Sequence, residues 1–159
     1  LNDRQYEQAL AYTQDALDAG EVDTALTAAF AAYHLGDYPA ANAYLGRVNL
    51  AEQPVSVRAL AGAIQYQLRD YGGAVSHFEA AYRQSSTLDL RRNLVNALLA
   101  TARFQEAAVH LRDMTRNHPN DGLLHQQLGW AEHMLGNTLE AQLAFRRATA
   151  LGAPLDAAQ

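Results

Sequence analysis

The chain has 159 residues, 49% of them apolar, and carries 12 basic against 17 acidic side chains for a net charge of −5. That is enough apolar material for one sizeable core, and a charged fraction of 18% with apolar residues along the whole length excludes a disordered polar tract. The two charge signs are mixed without a basic face, which argues against nucleic acid as a partner, and no apolar run approaches the ~20 residues that would insert across a membrane. Absence of Cys removes a disulfide framework, a thiolate metal site and a Cys nucleophile, and leaves the compartment open. All the basic residues are Arg, a bias expected of a GC-rich bacterial genome. Leu1 opens the chain and no charged leader with an apolar core follows, as expected of an excised segment or a processed chain.

Ten Gly and four Pro on an Ala-rich background point to long helices joined by short turns, an all-α class. In chain order the punctuation predicts helices over 3–19, 22–35, 38–50, 55–69, 71–84, 88–101, 104–117, 121–135 and 138–151. Gly20-Glu21-Val22 reads as a turn only 16 residues before the next one at Gly36. The helix between these turns therefore pairs with 38–50, and the first helix is left over as a cap.

One signature recurs four times: Gly36-Asp37-Tyr38-x-x-Ala41, Arg69-Asp70-Tyr71-x-x-Ala74, Ala102-Arg103-Phe104-x-x-Ala107 and Gly136-Asn137-Thr138-x-x-Ala141. Its third positions are spaced by 33, 33 and 34 residues, the period of a helix-turn-helix array. Gly at C′ accepts the left-handed conformation that ends one helix, and Asp or Asn beside it starts the next. The aromatic then wedges where the two helices diverge, and the small Ala lets their backbones approach. Seven residues beyond the aromatic, Leu45, Phe78, Leu111 and Phe145 extend the same buried face, followed by Val48, Ala81, Met114 and Ala148.

These residues resemble a tetratricopeptide repeat (TPR) protein over roughly 22–153. His125-x-x-Leu128-Gly129 is the best copy of the family's Leu-Gly pattern, Ala61-Gly62 and Leu94-Val95 are weaker copies, and Pro119 is the clearest match to the closing Pro. Pro54 and Pro154 fall one place late, and the first copy departs most, with Ala25, Ala28, Ala29 and Ala32 where larger residues are usual. The resemblance implies a right-handed α-solenoid of about four TPR-type helix-turn-helix repeats plus an N-terminal capping helix. Its parts are a cap over 1–20, repeats over 22–54, 55–87, 88–121 and 122–153, and the opening of a further repeat over 154–159, as if the array continued in a longer parent chain.

Little in the chain offers chemistry. His77 and His110 hold the same place in successive repeats, whereas His125 and His133 share a helix at a spacing of eight, not the four that brings two ligands to one metal. Ser56, Ser76, Ser85 and Ser86 lie outside any nucleophile elbow, and a chain without Lys has no P-loop. Asp15 with Asp18 and Glu132 with Glu140 read as solvated helix faces. No enzyme activity, metal or cofactor is expected.

In the resembling family the first helices line a concave groove, which implies a protein or peptide ligand. The implied groove residues are Phe30, Tyr33, Tyr66, Arg92, Asn96, Gln126, Trp130 and His133, within a lining that also takes in Asp23, Leu26, His34, Ser56, Ala59, Ala63, Gln67, Asp89, Leu99, Ala100, Leu123 and Met134. Arg92 and Asn96, four apart, resemble part of a clamp for a terminal carboxylate, but Gln126 and Gln127 stand where the next repeat would need Asn, and the plainer reading pairs Arg92 with Asp89. The reading is a noncatalytic interaction scaffold, a segment of a larger bacterial assembly, secretion or envelope protein, with periplasm ahead of cytosol. A stand-alone secretion chaperone and a structural spacer that self-associates through its terminal repeats are the alternatives.

Overall fold

The structure is a computed structural model that describes residues 4–8, 10–11 and 22–153. The expected extra repeat at 154–159, the turn at Gly20 and most of the expected capping helix lie outside the described residues. Everything regular among the described residues is helical: α1 (Val22–His34), α2 (Tyr38–Leu45), a 3-10 turn (Leu50–Glu52), α3 (Val55–Gln67), α4 (Tyr71–Gln84), α5 (Leu88–Ala100), α6 (Phe104–Asn117), α7 (Gly122–Met134) and α8 (Thr138–Ala150). The chain divides inside α5, between Leu94 and Val95, into two compact units.

The turns follow from backbone chemistry. Gly36, Arg69, Ala102, Gly136 and Gly152 all take positive φ, between 56° and 80°. Each ends a helix with the same pair of bonds, so that Asp37 N donates to Ala32 O at 2.9 Å while Gly36 N donates to Tyr33 O at 3.1 Å, and so on through Ala153 N to Ala148 O at 3.0 Å. The next residue then starts the following helix: Asp37 Oδ1 accepts from Ala40 N at 3.0 Å and Asp70 Oδ1 from Gly73 N at 2.9 Å.

In the first unit, α1 is built on buried alanines, and Ala29 and Ala32 pack with Ala41, Leu45, Ala61 and Ile64. Small residues there let neighbouring helices approach closely, which answers the unusual composition of the first copy. Residues 4–8 and 10–11 are helical, and Leu10 packs on Ala25, Ala28 and Val48. The helix expected over 38–50 stops at Leu45: Gly46 favours helix poorly, and Asn49 Oδ1 accepts from Ala51 N at 3.1 Å to begin a separate 3-10 turn. Gly62 on α3 lies against the Phe78 ring of α4, where a Cβ would come within 2.7 Å of it.

The second unit repeats that device with Gly129 on α7 and Phe145 on α8, again at 2.7 Å. Its core includes Leu98, Leu111, Met114 and Leu124. Glu132, expected on a solvated face, is instead 1% exposed. Arg112 of α6 holds it, with Nε donating to Glu132 Oε1 at 2.8 Å, while Asn137 Nδ2 donates to Oε2 at 2.7 Å. Together with Arg112 Nη2, 2.7 Å from Oε1, these charge-assisted bonds are what permit a carboxylate in that position.

Candidate functional site

The first helices position the residues singled out from sequence. In the first unit, α1 and α3 leave a cleft of about 380 Å³ between them, lined by Leu26, Thr27, Phe30, Ser56, Val57 and Leu60. Its volume falls within the ~300–1,000 Å³ typical of ligand pockets, and four of its six linings are apolar. Phe30 is the large exposed wall, 46% accessible. Behind the cleft its ring meets His34 edge-on at 4.4 Å, and Tyr6 of the N-terminal stretch stacks on His34 at 4.7 Å. Such offset and edge contacts hold rings in fixed orientation.

Tyr33 and Tyr66 occupy equivalent places one repeat apart and are half-buried. Tyr33 packs on Tyr38 with ring centroids 5.7 Å apart, and Tyr66 on Tyr71 at 5.1 Å. Burial, and secondarily the neighbouring phenol, pushes both hydroxyls above the ordinary tyrosine range. They therefore act as neutral amphipathic surfaces at any physiological pH. Arg92 is half-buried on α5 in this unit.

In the second unit Asn96 Oδ1 accepts from Gln127 Nε2 at 2.7 Å, which ties α5 to α7. Gln126 is 8% exposed and Trp130 is half-buried beside the exposed His133, their rings 6.1 Å apart. A larger opening of about 800 Å³ lies where the α6–α7 connection meets the end of α8, around Pro119, Asn120, Asp121 and Gly152. It is walled largely by turns, and Asp121 Oδ1 already accepts from Leu123 and Leu124 N–H groups. The smaller cleft, walled by side chains of two rigid helices, is the better-formed recognition surface.

Histidines do not converge. His125 Nε2 lies 3.1 Å from Pro119 O, and His77 is held below its ordinary pKa by burial and by Arg58, with Asp70 opposing. No group of three or more potential ligands that could hold a metal occurs among the described residues.

No family model matches the chain, and no curated protein matches it in sequence. Solved structures do. MamA MSR-1 is 24% identical, with a TM-score of 0.82 over 93% of this chain and 87% of its own. MamA AMB-1 is 25% identical, with a TM-score of 0.84 over 93% and 83%. YrrB, described as a TPR protein with an unusual peptide-binding site, is 16% identical, with a TM-score of 0.84 over 93% and 78%. The chain has the tetratricopeptide-repeat fold. Its α1, α3, α5 and α7 are the first helices of the TPR hairpins, and the cleft lies between two of them.

The family resemblance set Leu26, Phe30 and Ser56 in the groove, and the structure brings those three together at the cleft; Tyr33 and Tyr66, set there as well, do not line it. The resemblance missed Thr27, Val57 and Leu60, which share the cleft: Thr27 and Leu60 stand 33 residues apart, so the TPR period itself carried that signal. The stacking of Tyr6 on His34 had no sequence signal, because it joins the first repeat to residues outside the periodic pattern.

Proposed function

We propose that the chain is a noncatalytic interaction scaffold that binds a peptide or extended protein segment on the faces of its first helices, as part of a bacterial assembly or secretion apparatus. The observation that carries this reading is the apolar cleft between α1 and α3, with Phe30 held open to solvent by the rings behind it. Large apolar side chains presented on rigid helices anchor protein interfaces at small ordering cost. YrrB, with the same fold, is described as binding peptide. Capture of partners from the native organism tests the reading: Phe30→Ser and Leu60→Ser should each abolish retention of a specific partner that the parent chain retains. Undiminished capture by both variants would refute it.

A second reading, self-association through the terminal repeat, draws on Leu139 and Leu143, 65% and 57% exposed and one helical turn apart on α8. Sedimentation of the parent chain and of Leu139→Ser/Leu143→Ser decides it: a mass that grows with concentration only in the parent would support self-association.

A further inference from the structure

The cleft of the first unit is walled largely by apolar side chains, and an acid stands one helical turn before two of its lining residues on α1. Leu26 and Phe30 of α1 face Val57 and Leu60 of α3, and Thr27 and Ser56 supply hydroxyls. Asp23 precedes Leu26 by three residues and Thr27 by four, so it lies on the same face of α1, and it is exposed. Among the described residues its carboxylate forms no ion pair. The nearest basic residue along α3, Arg58, is turned away, with Nη2 donating to Ala51 O at 2.8 Å in the connection before α3.

Resting on the groove reading above, we propose that this cleft takes a large aliphatic or aromatic side chain of a partner segment in which an adjacent residue is Lys or Arg, set against Asp23. The apolar side chain supplies the anchoring and is indifferent to charge; the cation supplies selection, since a segment with acids beside its apolar residue would meet like charge at Asp23. A Lys- or Arg-flanked segment is the opposite of what a terminal-carboxylate clamp would select.

The test uses the full chain, labelled with nitrogen-15, titrated at low salt with three acetylated and amidated peptides: Gly-Lys-Leu-Lys-Gly, Gly-Glu-Leu-Glu-Gly and Gly-Lys-Ser-Lys-Gly. The Lys-flanked Leu peptide should shift amides of α1 and α3 and bind about threefold or more tightly than the Glu-flanked one, the scale of one partly exposed ion pair. The preference should shrink as salt is added. Asp23→Asn should remove the preference while Leu-peptide binding persists, and the Ser peptide should leave α1 and α3 unshifted. Equal affinity for the two Leu peptides would overturn the inference and leave the groove reading standing. Failure of every peptide to shift α1 and α3 would also overturn it, and the partner-capture experiment with Phe30→Ser then judges the groove reading separately.

Discussion

Across two of the hairpins a side chain missing from the first helix is matched by a ring on the second. Gly62 faces Phe78 and Gly129 faces Phe145, sixteen residues apart in each case, while the equivalent positions elsewhere hold Ala29 with Leu45 and Val95 with Leu111. Gly with Phe and Ala with Leu fill similar volumes, while Val95 with Leu111 fills more. Gly129→Ala should therefore cost about 1–3 kcal/mol by overpacking, and Gly129→Ala with Phe145→Leu should recover most of it, as read by denaturant unfolding. A second residue-scale effect lies in the turns, where Arg69 and Ala102 carry φ of 63° and 56° at sites that are Gly in the other copies. Either residue replaced by Gly should gain roughly 0.5–1 kcal/mol, the left-handed penalty less the added chain entropy. His77 gives a pH dependence. Its folded pKa lies below the ordinary 6.5, so between those values the unfolded chain binds more protons. Its stability contribution is intact above about 6.5 and is lost as pH falls through the depressed value; the midpoint of thermal unfolding between pH 8 and 5 should fall less in His77→Gln.

Between elements, the contact hardest to foresee is the most specific. Glu132 and Arg112 are 20 residues apart on different helices, and a lone Glu on a helix reads as solvated until a neighbour is known. A clue existed: Glu132 stands where the preceding repeat has buried Leu98. Arg112→Leu should destabilise by roughly 2–3 kcal/mol, less than the ~3–5 of a fully enclosed pair because Arg112 is partly exposed. Arg112→Leu with Glu132→Leu should regain most of that loss. Helix starts were legible from the turn signature, since local backbone bonds fix them: α4 and α6 run over the expected residues. The end of α2 was not, because Gly46 and Asn49 weaken and restart the helix inside an apolar pattern that continues to the buried Val48.

For the whole molecule, the repeat period carried the fold. Four signatures at one spacing specify helix pairs in one register, and solved TPR structures share it despite low identity. The site was legible only in part, because the family resemblance says which positions face the groove and not which of them stay open to solvent: Gln126 is enclosed and Asn96 is bonded to Gln127, whereas Phe30 is exposed. The same limit kept Val57, on the cleft's far wall, out of view until the helices were set side by side. Recognition on the first-helix face makes a direct prediction for amide exchange. With a captured partner bound, amides of α1 and α3 around the cleft should gain protection relative to the free chain, while the exposed faces of α6 and α8 around Val109 and Leu143 exchange as before. Protection confined to α6 and α8, with α1 and α3 unchanged, would contradict the account.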